Sequence, residues 1–162
     1  MYLIRPYDRS SHGMKITKME LAKIDLEEVQ GALGLSSSIM AIFYSISNSK
    51  EIHVIIDEDT EAIIAIMGIA EKVGYDNVLT GVPWVLGTEK FHAINSRGTR
   101  SFLNLAQVWF ERWRHQYKQL ENFVATKNTK SIRWLKWLGF IVDTDNKWYL
   151  IDKGIPFFRF YT

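Results

Sequence analysis

The stretch Asn122-Phe-Val-Ala-Thr-Lys-Asn-Thr-Lys-Ser-Ile-Arg-Trp-Leu-Lys-Trp-Leu-Gly-Phe140 decides the fold. Its β-run, Leu120 to Ala125, ends in a polar turn. A short amphipathic helix follows, and Gly139-Phe140 stops it. A strand feeding a short helix is a corner of a layered α/β arrangement, and the rest of the chain reads as a frame around it.

Working outward, Thr99 opens the longest helix, to about Tyr117. Phe102, Ala106, Trp109, Trp113 and Tyr117 form one apolar stripe along it. Before it, Gly87 to Gly98 reads as a loop. Three strands precede that loop: Glu51–Asp57, Ala62–Ala70 and Val78–Leu86. The acidic turn Asp57–Thr60 and a turn over Val73–Asn77 link them. Pro83 has no N–H to donate, so it marks a bulge that frees backbone groups, or a kink packed under Trp84. The chain opens with a strand, Tyr2 to Tyr7, and a turn-rich loop over Asp8–Gly13. Thr17-Lys-Met-Glu20 has the form of a capping box and predicts a helix to Ala32, closed by Gly34. Ser36–Ser38 caps a further helix over Ile39–Ile46. After the opening corner come Ile141–Asp143, a turn over Thr144–Lys147, Trp148–Ile151 and an aromatic, strand-like tail, Ile155–Tyr161. The fold class is α/β (α+β): a mixed, mostly antiparallel sheet of about seven strands flanked by about four helices. With 162 residues and no linker or repeat, the expectation is a single domain over 1–162.

Composition narrows the function. No apolar run approaches ~20 residues, so no membrane span is expected. The absence of cysteine excludes disulfides, zinc–thiolate sites and a thiol nucleophile. His12, His53, His92 and His115 show no metal-ligand spacing, and no metal is expected. Residues 1–81 hold 7 Lys/Arg against 12 Asp/Glu, a net of −5, whereas residues 82–162 hold 13 against 6, a net of +7. That split suggests a basic face for an anion, head-to-tail contacts between subunits, or simple mutual offset. The tryptophans at 109, 113, 134 and 137 read as core rather than as a nucleic-acid surface, and nucleic acid is not an expected partner.

The order of elements resembles the GNAT acyltransferase fold, and Asn128-x-x-Ser131-Ile132 followed by Gly139-Phe140 resembles that family's motif block. Within that fold, Gly81-Val-Pro-Trp-Val-Leu-Gly-Thr88, Arg112-Trp113 and the 122–140 stretch resemble the internal virion protein A family of tailed bacteriophages. That resemblance implies a phage protein in the host bacterial cytoplasm or in the virion. Its partners would be other phage virion proteins or a second copy in a homo-oligomer. The resemblance to the enzymes implies acetyl-CoA as the cofactor, with Arg97, Gly98, Arg100 and Asn128 as its binding residues. The chain departs from the enzyme pattern at two points. An arginine, Arg100, stands where the second small residue of the phosphate loop belongs, and Leu135 stands where a tyrosine would protonate the leaving thiolate. Glu71, Asp76 and Glu89 read as surface carboxylates. The expectation is therefore a non-catalytic assembly or structural component with no cofactor. Its interface would be the charge split or exposed tail aromatics, Phe157 to Tyr161. The alternative is an acetyl-CoA-dependent N-acetyltransferase that modifies a host or phage protein.

Overall fold

The structure, a computed structural model, describes residues 1–74 and 76–162. Tyr75, inside the expected turn at 73–77, lies outside the described residues. Among the described residues seven strands form one sheet: β1 (Tyr2–Pro6), β2 (Ser49–Asp57), β3 (Ala62–Val73), β4 (Leu79–Gly87), β5 (Gln119–Ala125), β6 (Ile141–Tyr149) and β7 (Pro156–Tyr161). Their spatial order is β1-β2-β3-β4-β5-β7-β6. Every neighbouring pair is antiparallel except β4 and β5, which run parallel.

Among the described residues six helices cover the sheet, two more than the sequence predicts. They are α1 (Arg9–Thr17), α2 (Lys23–Leu33), α3 (Ser38–Ser47), α4 (Glu89–His92), α5 (Ser96–Gln116) and α6 (Thr129–Trp137). The expected loop at 8–13 is instead the start of α1. The Asp8 carboxylate accepts hydrogen bonds from Ser10 N and Ser11 N, each at 3.3 Å, and so caps the helix. Thr17 is the last residue of that helix and not the start of a capping box; its Oγ1 donates back to Met14 O. The next helix begins at Lys23. Ala22 offers no side-chain cap, and Lys23 N donates instead to Glu89 Oε1 at 2.9 Å. The expected 87–98 loop contains α4, capped by Thr88. The long helix is capped by Asn95, whose Oδ1 accepts from Gly98 N at 2.9 Å, and not by Thr99.

Two apolar layers sandwich the sheet. On one face α1, α2 and α3 bury Ile16, Val29 and Ile42 against Val54, Ile66 and Leu86. On the other, α5 and α6 bury Phe102, Phe110, Trp113 and Ile132 against Ile55, Ile69 and Leu120. Trp113 is fully buried, as its stripe predicts, whereas Trp137 is half exposed. Gly34 (φ 71°) and Gly139 (φ 91°) end α2 and α6 in the left-handed region, where a side chain is strained. The tail corrects an expectation in part: Phe157 and Phe160 are buried in β7, between β5 and β6, whereas Phe158 and Tyr161 are half-buried.

Candidate active site

The parallel pair carries the site. Strands β4 and β5 pair only at Thr80–Gln119 and Gly81–Leu120, then part. Gly81 allows the close approach at this vertex. A Cβ there would sit 2.7 Å from Leu120 Cδ2 and 2.8 Å from Ile69 Cδ1. Pro83 lies just beyond. It makes no bulge, because β4 stays in continuous register with β3 through Ile69–Pro83. The change is on the other side, where β5 has moved away. The Asn122 side chain bridges the widening gap, its Nδ2 donating to Pro83 O at 2.8 Å.

Past Asn122 the gap opens into a cleft of about 440 Å³ that passes through the sheet. Glu28, Val29, Leu33 and Tyr44 line it from the α2–α3 face. Phe102, Trp134, Leu135 and Leu138 line it from the α5–α6 face. Leu135 thus does occupy the wall where a proton donor is absent from the sequence. Trp134 beside it is packed edge-on to Phe91 and stacked 6.4 Å from the His92 ring, so its indole is part of the wall.

Helix α2 spans the open end. Asp25 Oδ2 accepts from Gly87 N at the end of β4 (2.6 Å), and Oδ1 lies 2.9 Å from His92 Nε2. One turn on, Glu28 Oε1 accepts from Ala125 N at the end of β5 and from Asn128 Nδ2, both at 2.9 Å. The two carboxylates stand at i and i+3, on one helical face, and tie both strand ends to the same helix. Burial, reinforced by the neighbouring Asp25 charge, pushes the Glu28 carboxyl up to about 7. At the closed end, Glu71 accepts from Tyr117 OH at 2.7 Å, and burial raises the Tyr117 phenol. Glu71 lines the cleft and is not a free surface carboxylate. Asp76 and Glu89 do lie at the surface, where they cap Val78 N and Lys23 N.

The four residues singled out from sequence separate in space. Asn128 lines the cleft, but its side chain is committed: Oδ1 caps α6 at Ser131 N and Nδ2 holds Glu28. Arg97, Gly98 and Arg100 are not among the residues that line the cleft. Gly98 has Ile94 Cγ2 2.6 Å and Tyr2 Cε2 3.0 Å from where its Cβ would be, so it serves packing against β1. Arg97 and Arg100 are exposed in the first turn of α5 and form no ion pair among the described residues. The residues missed from sequence are Asp25, Glu28, His92 and Tyr44. In sequence the two acids look like an ordinary solvated helix face; only the strand ends beneath them reveal the role.

Among solved structures, the chain is similar to a GNAT-family acetyltransferase from Streptococcus pneumoniae (14% identity, TM-score 0.57, covering 100% of this chain and 99% of that one). It is similar to the ribosomal-protein-S5-alanine acetyltransferase of Vibrio fischeri (14%, TM-score 0.65, 99% and 92%). It is also similar to the spermidine N-acetyltransferase of Vibrio cholerae in complex with CoA and spermine (12%, TM-score 0.61, 99% and 94%). The chain has the GNAT acetyltransferase fold. No protein-family model and no curated protein sequence matches it. The expectation of a non-catalytic virion component is corrected here. The three solved structures named above, which match over nearly the whole chain, are acetyltransferases, one of them in complex with CoA.

Proposed function

We propose that the protein is an acetyl-CoA-dependent N-acetyltransferase. One observation carries this reading: β4 and β5 part after two paired residues and leave a through-sheet cleft with an ionisable carboxylate, Glu28, on one wall. A parallel pair opened in this way leaves the β4 edge along Val82–Leu86 without a strand neighbour, with only the Pro83 carbonyl taken, by Asn122. An extended amide-containing arm can add there as a strand would. The cleft therefore fits the pantetheine arm of acetyl-CoA, whose thioester supplies the acetyl group. The Gly98 N–H donates to Asn95 Oδ1 at 2.9 Å, and no second small residue follows at position 100. The exposed guanidinium groups of Arg97 and Arg100 are the residues that would hold the phosphates, through charge-assisted hydrogen bonds.

The chain's own residues supply the remaining tasks. Apolar walls of Val29, Leu33, Phe102 and Leu138 exclude water from the reacting centre. Asp25 and Asn128 fix Glu28 by its helix and by its carboxylate. Tyr44 presents a phenol with no hydrogen-bond partner among the described residues, on the same wall as Glu28. The resemblance of Gly81–Phe140 to a phage family supports a phage-encoded enzyme at work in the host cytoplasm, on a host or phage amine.

The test is release of free CoA thiol from acetyl-CoA in the presence of spermidine or of a peptide with an N-terminal alanine. The chain contains no cysteine, so the protein adds no thiol background. The reading predicts acceptor-dependent release. Release no faster than in buffer, with both acceptors, contradicts it.

A further inference from the structure

Three carboxylates line the cleft, and their hydrogen bonding differs. Asp25 has both oxygens engaged, by Gly87 N and His92 Nε2. Glu71 sits on β3 opposite Gly81, where β4 and β5 are still paired, and is held by the Tyr117 hydroxyl. Glu28 projects over the open gap, and both of its donors, Ala125 N and Asn128 Nδ2, converge on Oε1. Its Oε2 accepts no hydrogen bond among the described residues and is not among the buried, unpartnered atoms. One oxygen is thus anchored twice while the other faces the cleft, the arrangement of a positioned base.

We propose that Glu28 is the proton acceptor for the attacking amine, which enters the cleft from the α2–α3 face. This rests on the acetyltransferase reading above. Glu28 Oε2 takes one proton from the incoming ammonium. The amine nitrogen then bonds to the thioester carbonyl carbon, and the C–S bond breaks with its electron pair leaving on sulfur. The second nitrogen proton passes through solvent to the sulfur, and Glu28 returns its own proton to water. Oε1 keeps both hydrogen bonds throughout, because a protonated carboxyl still accepts at its carbonyl oxygen. The charged groups around Glu28 favour this role. Burial and then Asp25, on its own helix, raise its proton affinity and outweigh the opposing pull of His92 from α4, which is itself held by Asp25. Lys130 from α6 is turned away onto the carbonyls of His92 and Ile94, and Asp152 from the β6–β7 loop is held on Gln30. No cation pairs with Glu28 among the described residues, so its affinity for a proton is preserved.

The experiment combines two readouts on Glu28→Gln, whose amide oxygen can still accept from Ala125 and Asn128. First, the Ala125 amide shift is followed by NMR against pH, without ligand. It is expected to titrate with a midpoint near 7 in the wild type, as burial of Glu28 dictates, and to stay flat in the variant. Second, kcat/KM for thiol release from acetyl-CoA with spermidine is followed against pH. The wild type is expected to show an acidic limb near the same midpoint. E28Q loses about 100-fold or more, and the limb with it, while its acetyl-CoA affinity by calorimetry is retained. Glu28→Asp, which restores a carboxylate, recovers the limb at a lower rate. Retention of rate and limb in E28Q, transfer of the limb's loss to E71Q, or an Ala125 amide that does not titrate between about pH 6 and 8 overturns the proposal and leaves the acetyltransferase reading standing. Absence of thiol release from the wild type, with Ala125 titrating normally, overturns both.

Discussion

Glu28 is half-buried at the cleft wall and His53 is buried, and the loss of hydration acts on acid stability in opposite senses for the two. The folded chain holds the Glu28 proton up to about 7, whereas an unfolded glutamate gives it up near 4.5. Folding is therefore favoured by the bound proton below that window, and this contribution is lost as pH rises through it. His53 lies on β2, its ring centroid 3.9 Å from that of Trp109 and tilted 43° to it, with a buried Nδ1 that has no partner among the described residues. Burial lowers its proton affinity below the ordinary value of 6.5, so its contribution is lost as pH falls below that value. Glu28→Gln is expected to raise Tm by several degrees at about pH 8 and to change it little at about pH 5; a calorimetric pair of scans checks this. The same carboxylate would then cost stability where it serves chemistry. Gly81 makes a separate demand. In Gly81→Val, new methyls would meet Leu120, Ile69 and Tyr117, and the overpacking is expected to cost about 1–3 kcal/mol in urea unfolding.

At the scale of elements, long periodic segments were legible in the sequence and short, remotely held ones were not. The α5 stripe, the β-branched run of β2 and the Gly34 and Gly139 stops all lie where pattern and turn chemistry put them. Helix α1 was obscured because Asp8-Arg-Ser-Ser11 serves equally as a turn or as a cap. The start of α2 was obscured because its first N–H is capped by Glu89, which is distant in sequence. The site was half legible: Pro83 marked the neighbourhood of the opening, though not through the bulge expected there, and α2 carried no sign of its position over the strand ends. Asn128 is the joint between these elements, capping α6 and holding Glu28 at once. Asn128→Ala is expected to cost about 1–2 kcal/mol through the lost cap, read as a lower denaturant midpoint. It should also move the Glu28 midpoint upward, because a donor to the carboxylate is gone.

At the scale of the molecule, part of the charge split is met by contacts across the fold. Asp57, Glu51 and Asp25 of the acidic half pair with Lys90, Arg112 and His92 of the basic half, at 2.7, 3.8 and 2.9 Å. These contacts stitch β2 and α2 to the α4–α5 segment, and so hold the two sides of the cleft in place. The cleft itself follows from topology: six neighbour pairs hold the sheet together, and only the parallel one is cut short after two residues. The most direct test of the central claim is an amide NMR titration of the wild type with acetyl-CoA. The predicted result is shift changes concentrated on the facing edges, Val82–Leu86 and Asn122–Ala125, and on the first turn of α5. Unchanged spectra at large molar excess, or changes that spare both strand edges, would contradict it.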